Sequence, residues 1–340
     1  MRTLDALPPQ IHAWATASLG KDAATAQFTQ FPGGANNLVF GCDAPGRKVV
    51  VKAYPQAANL SADRFQAETD FLTYANQVAA AYVPRLYETD ASQRVLVMEF
   101  LEGTRFETDG DIQRADVAQA AAFLGALNAD PARAATQIKL PAADGFLTLS
   151  AHISNVDSRV GELAYTHLPQ TFQYAAQALI TETRNRWDSV KQTVETHLAA
   201  HADSDELSAG ERCVSPSDFG FHNAMRCKDG VKFYDFEFAG WDDPAKTVAD
   251  FFLQPRISAP RAFQQLFEQA LVHNISEEEL TRRMALLRPL LQLKWVTIVL
   301  AVLRPARLQA MLAVAVDKNV STLIEERFGR AQRLLSQGTA

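Results

Sequence analysis

Ser215-Pro216-Ser217-Asp218-Phe219-Gly220-Phe221-His222-Asn223-Ala224-Met225, followed shortly by Val231-Lys232-Phe233-Tyr234-Asp235-Phe236-Glu237-Phe238, is the stretch that decides the fold. Asn223 lies five residues after Asp218, and Asp235 heads a second loop that the short β-like run from Lys232 to Tyr234 leads into. Moving a phosphoryl group requires a carboxylate that orients and deprotonates the attacking hydroxyl, together with oxygen ligands that hold Mg2+ on the phosphates. Two aspartates and an asparagine can fill those places. The Asp-to-Asn spacing by itself arises often by chance, and two unrelated surface loops would produce it. The apolar run and the Asp-Phe-Glu behind it make the pattern specific.

Upstream, residues 9–19 read as a short helix. The segments QFPGGANNLVFGC and RKVVVKAY then read as two β-runs, with Gly33-Gly34 at a turn before the first and Ala44-Pro45-Gly46 between them. This is a hairpin carrying Lys52. Residues 61–75 are helical, with Ser61 as the expected cap and Phe65, Glu68, Phe71 and Leu72 at helical spacing. Residues 82–88 and 94–100 read as strands that close a small sheet. Beyond Gly103 the pattern turns helical, over 117–128, 165–200, 261–272, 277–303 and 322–335, broken only by β-like runs within 212–238. The expected class is α+β, a small β-rich part preceding a larger helical one. A chain of 340 residues has the length for two parts, since cores beyond roughly 250–300 residues tend to split.

These residues resemble the aminoglycoside phosphotransferase and choline kinase family of protein-kinase-like enzymes, with matching motifs from Phe31 to Asp250. The Asp-x-x-x-x-Asn spacing is that of the kinase catalytic loop. Pro216-Ser217 stands where the family usually has His-Gly, a departure that bears on loop shape. The resemblance implies a bilobal fold: residues 1–98 as a nucleotide-binding lobe, 99–104 as a hinge and 105–340 as a catalytic and acceptor-binding lobe. It implies ATP and Mg2+ as cofactors and a hydroxyl of a small molecule as acceptor, with Asp218 as base and Asn223 and Asp235 as Mg2+ ligands. Lys52 would hold the α and β phosphates, aimed by Glu68. Gly33 and Gly34 would open a glycine loop whose backbone N–H groups approach the phosphates. At Val97-Met98-Glu99-Phe100-Leu101 the Glu99 carbonyl and the Leu101 amide would take the adenine edge, with Met98 lining the slot. Glu237 either assists a second metal ion or faces solvent. Asp250 is expected to be structural, accepting N–H groups of the catalytic loop, and His222 to pack that loop.

Other classes are disfavoured. A net charge of −6 lacks the dominant basic surface of a sequence-blind nucleic-acid binder. Three cysteines without a CxxC pair suit a reducing cytoplasm, and Asp5, Pro8 and Pro9 interrupt what a signal peptide would need as an apolar core. The apolar run 290–303 contains Lys294 and falls short of the roughly 20 residues that span a bilayer, so no membrane partner is expected. His152, His167, His197, His201 and His273 show no zinc-site spacing. Only fourteen residues separate Asp235 from Asp250, too few for a peptide-docking activation segment, and Ser217 replaces the arginine that would hold its phosphate. The competing reading is a catalytically silent nucleotide-binding module of the same fold. The joint presence of Lys52, Glu68, Asp218, Asn223 and Asp235 weighs against it.

Overall fold

A computed structural model of the chain describes residues 3–31, 37–55, 63–201, 205–314 and 319–336. By compactness it divides into two units, Met1–Ala143 with Val214–Trp241, and Asp144–Cys213 with Asp242–Ala340.

The first unit begins with helix α1 (Pro9–Leu19) and an antiparallel sheet of β1 (Gln27–Gln30), β2 (Leu38–Ala44), β3 (Arg47–Ala53), β4 (Leu86–Asp90) and β5 (Val95–Glu99), in the order β1-β2-β3-β5-β4. Pro45 and Gly46 close the β2–β3 hairpin with Ala44 opposite Arg47, and Gly46 takes a φ of +71° that a side chain would oppose. Alternation along β3 then sorts its residues. Val49, Val51 and Ala53 join Ile11, Trp14, Phe28 and Phe40 in the core under α1, while Val50 and Lys52 point to the other face. Each fully buried Val or Phe contributes about 1.5–3 kcal/mol.

That other face receives α2 (Arg64–Val78), whose buried residues Phe65, Glu68, Phe71, Leu72 and Ala75 repeat at helical spacing. Asp63 caps it, its carboxylate accepting the Gln66 N–H at 3.2 Å. Ser61, expected as the cap, lies outside the described residues, as do Gly33 and Gly34. The expected strand over 82–88 starts later, at Leu86. Ala80–Tyr82 form a 3-10 turn, and Pro84 has no N–H to give a ladder there.

The unit continues through β6 (Gly103–Arg105), α3 (Arg114–Asn128) and α4 (Pro131–Gln137), and is completed from far along the chain by β8 (Ala224–Cys227) and β9 (Gly230–Phe233). The three strands form a sheet in the order β6-β8-β9. Gly103 sits opposite Cys227, and a Cβ there would lie 2.4 Å from the Arg226 carbonyl oxygen, so only glycine fits. Short strands β7 (Cys213–Ser215) and β10 (Gly240–Asp242) lie where the chain passes between units.

The second unit is helical: α5 (Leu149–Gly161), α6 (Gln170–Ala200), α7 (Pro244–Leu253), α8 (Gln264–Ala270), α9 (Glu277–Val299), α10 (Pro305–Val314) and α11 (Val320–Ser336). Helices α4, α5 and α10 were absent from the sequence expectation, although Thr148 caps α5 and its buried Leu149, His152, Ile153, Val156 and Val160 fit a helical period. Central α9 packs against α5, α6, α7 and α11. Among the described residues Glu277–Leu303 is the one helix apolar and long enough to cross a membrane, and 67% of its most apolar window is buried inside the fold. It is a core helix.

Its charges are part of that core. Arg283 donates to the buried Asp243 carboxylate at 2.5 and 3.0 Å, and Lys294 donates to Asp250 at 2.7 Å. Lys246 of α7 reaches Asp242 at 2.5 Å and Asp250 at 3.4 Å. Asp250 was expected to accept catalytic-loop amides. It is satisfied instead by Lys294 and by the Trp295 indole N–H at 2.8 Å. Burial opposes the Asp250 charge, yet Lys294 and Lys246 hold its carboxyl below the usual range. Burial pushes Asp242 up, to about 6, against the pull of Lys246. Removing one member of such a buried pair leaves an uncompensated charge costing about 3–5 kcal/mol. Lys246→Met is therefore expected to destabilise the protein by about that amount in urea denaturation; an unchanged midpoint would show that the network carries no stability.

Candidate active site

Lys52 is 4% exposed, so its ammonium requires partners. It has two: Glu68 Oε2 at 2.7 Å and Asp235 Oδ1 at 2.5 Å. Burial alone would push the ammonium down, but Glu68, Asp235 and Glu237 outweigh it and hold Lys52 above the ordinary lysine range. Glu68 is tied from three sides, by Lys52, by the Tyr54 hydroxyl, and by the Phe236 N–H at 3.1 Å. Burial raises its carboxyl, to about 7, against the pull of Lys52. Asp235 itself occupies the left-handed region with φ +69°, and its side chain is 41% exposed. A carboxylate held by a lysine on one side and open on the other can take a cation.

Glu237 is buried at 5% and accepts the Asn37 side-chain amide at 2.6 Å, which excludes the solvent-facing alternative. Asn37 is the one described residue of the expected glycine-loop segment.

The second group lies on the loop between β7 and β8. Ser217 adopts φ +66°, at the position where the resembled family keeps glycine. Its backbone N–H is accepted by Ser215 Oγ at 3.1 Å, and its hydroxyl donates to the Ala143 carbonyl at 3.3 Å. Phe219 and Phe221 then turn inward. Phe219 packs on Phe233 and Phe123 with ring centroids at 4.9 and 5.8 Å, Phe123 stacks on Phe233 at 5.5 Å, and Phe71 meets Phe236 at 4.6 Å. Alternation with these anchors leaves the Asp218 side chain 38% exposed. Its Oδ1 lies 3.2 Å from His222 Nε2, and Asn223 Nδ2 donates to the Asp218 carbonyl at 3.1 Å and to Oδ2 at 3.3 Å.

The hairpin β8–β9 joins the groups. Ala224 pairs with Phe233, and the Tyr234 N–H donates to the Asn223 carbonyl at 3.0 Å, so Asn223 and Asp235 flank the same end of the hairpin. Among the described residues no three His, Cys, Asp or Glu side chains cluster to hold a metal by themselves. Asp235 and Asn223 present hard oxygen donors of the sort Mg2+ takes when it keeps waters and phosphate oxygens as its other ligands. The residues fit that ion.

At the expected hinge, Glu99 ends β5. Its carboxylate accepts Lys232 Nζ at 2.7 Å and the Arg85 N–H at 3.1 Å. Met98 is buried and Leu101 half-buried. Pattern reading missed the phenylalanine anchors and the contact of His222 with Asp218; the Asp-Phe-Gly-Phe-His alternation was the available signal.

An antiparallel sheet bearing a buried Lys–Glu pair, followed by a largely helical C-terminal region, is the protein-kinase-like fold. The chain belongs to the phosphotransferase enzyme family, whose pattern its residues 27–287 match. Among solved structures it is similar to a choline/ethanolamine kinase family protein from Mesorhizobium loti, with 16% identity and a TM-score of 0.54 over 96% of this chain and 93% of that one. Choline kinase LicA from Streptococcus pneumoniae is similar at 14% identity and TM-score 0.56, over 97% and 99% of the two chains. ADP-bound aminoglycoside phosphotransferase APH(2'')-Ib matches at 13% identity and TM-score 0.55, over 98% of each. No curated protein matches the chain at a significant level.

Ser217 separates backbone strain from chemistry. A β-branched residue at φ +66° should cost about 1–3 kcal/mol, whereas glycine takes that conformation freely. Ser217→Val is expected to lower the denaturation midpoint and Ser217→Gly to stay near the parent; equal midpoints would mean that the loop relaxes elsewhere.

Proposed function

We propose that the protein transfers the γ-phosphoryl group of ATP to a hydroxyl of a small molecule. The observation that carries this reading is the single constellation of Lys52, Glu68 and Asp235 beside the loop bearing Asp218 and Asn223, in a chain of the phosphotransferase family. Related structures were solved with ADP, and with AMP-PNP and hygromycin B, bound, which supports nucleotide use and a small hydroxylated acceptor.

In this reading Lys52, aimed by Glu68, holds the α and β phosphates. Asp218 accepts the proton of the acceptor hydroxyl as its oxygen attacks phosphorus, and the β-phosphate oxygen leaves with the bond electrons. Asn223 and Asp235 would hold Mg2+, which neutralises charge on the phosphates when bound. Gly33 and Gly34 would cover the phosphates. The Glu99 carbonyl and Leu101 amide would take the adenine edge at a hinge over 99–104, between a nucleotide lobe of 1–98 and an acceptor lobe of 105–340. A cytoplasmic setting accords with three cysteines that form no disulfide. Glu237, buried beside Lys52, adds negative charge next to the metal loop.

Two measurements test the assignment. Asp218→Asn is expected to abolish ATP-dependent phosphorylation of a hydroxyl-metabolite panel while nucleotide affinity stays within about threefold, because the base acts on the transition state. Retained turnover would remove Asp218 from the role, and a parent protein that binds MgATP yet turns over nothing in the panel would favour the silent-module reading. Asp235→Ala should abolish the magnesium dependence of ATP binding measured calorimetrically; unchanged dependence would move the metal site elsewhere.

A further inference from the structure

We infer that His222 is a positioning residue that sets the orientation of the Asp218 carboxylate. The inference rests on Asp218 being the base. A base carboxylate has to present one oxygen lone pair to the acceptor O–H, and free rotation about its last bond would spread that direction. Each oxygen of Asp218 has a contact from the turn that follows it. Asn223 Nδ2 lies 3.1 Å from the Asp218 carbonyl and 3.3 Å from Oδ2. His222 Nε2 faces Oδ1 at 3.2 Å.

The imidazole is itself fixed. Its side chain is 6% exposed, and it stands in the 3-10 turn Phe221–Asn223, whose end residues are buried in the unit that carries Asp218. Phe221 anchors that turn against Phe106 and Phe233, with ring centroids at 4.8 and 6.1 Å. A carboxylate only accepts, so Nε2 must carry the hydrogen. Nδ1 is buried without a hydrogen-bond partner among the described residues, and an N–H there would be stranded, whereas a bare lone pair is the cheaper orphan. The ring therefore serves as an Nε2–H donor that steers the carboxylate. With Nδ1 shut away from solvent it offers no proton exit, which separates this role from a relay.

The test uses the full chain with MgATP and choline as acceptor, and water as acceptor where choline is not turned over. His222→Phe keeps the ring volume and removes the donor; His222→Gln returns an amide N–H near the Nε2 position. We expect His222→Phe to lower kcat by about 10–100-fold with the KM for ATP within about threefold, and His222→Gln to recover most of that loss. Thermal melting of each variant reports folding. Long-range 1H–15N spectra of the parent, which need no acceptor, should show His222 as the Nε2–H tautomer, with its resonances moving in Asp218→Asn. A glutamine variant no better than the phenylalanine one, a loss confined to the KM for ATP, or the Nδ1–H tautomer would overturn the inference. If Asp218→Asn is inactive while His222→Phe keeps kcat within about threefold, the positioning role alone falls; if Asp218→Asn stays active, the assignment of the base falls instead.

Discussion

One buried ammonium organises the first unit. Lys52 comes from the middle strand of the sheet, Glu68 from the helix packed on β4 and β5 of that sheet, and Asp235 from the loop after β9. Neither the strand nor the helix can shift alone, because parting Lys52 from Glu68 would leave a charge in the interior, costing several kcal/mol. The Phe236 N–H on Glu68 adds a backbone tie between α2 and the loop of Asp235. A hydrophobic pair in this place could be equally stable. What the charged arrangement adds is direction, since it fixes the lysine and the aspartate against each other.

A second constraint acts on the loops. Ser217 and Asp235 both hold positive φ, and each is adjacent in sequence to a residue whose own neighbour or self is a buried phenylalanine: Asp218-Phe219 in one loop, Phe236 in the other. The aromatic cluster around Phe123 sits beneath both loops. Packing of rigid rings over-determines the backbone there, which is how strained conformations persist at sites that need exposed polar side chains. Hydrophobic and functional residues thus alternate along one short segment, the former anchoring the latter.

The kinase-like class was legible because its signals are local. The Asp-to-Asn spacing, the β-run before Asp235 and the helical spacing of Glu68 with Phe65 and Phe71 all fall within short windows, where period and turn chemistry govern. What escaped depends on partners far along the chain. Glu237 finds Asn37 two hundred residues away, and Asp250 finds Lys294 and Trp295 on another helix. No local pattern announces which carboxylate a distant cation will meet. Ser217 escaped for a different reason: its left-handed backbone contradicts the preference of its own side chain and follows from the loop closing around it. Helix α5 was missed although its cap and period were readable.

The order in which the chain is made gives the Lys52 cluster a history. Glu68 follows Lys52 by 16 residues, but Asp235 follows it by 183. At ribosomal rates of roughly 5–20 residues per second, about 10–40 s pass between the lysine and its second carboxylate. Through that interval the early sheet and α2 can form with a single neutralising partner in place. The half of the site that would grip the metal is therefore the last to be built, so a nascent chain would have the lysine's aim well before it could hold a magnesium-bound nucleotide.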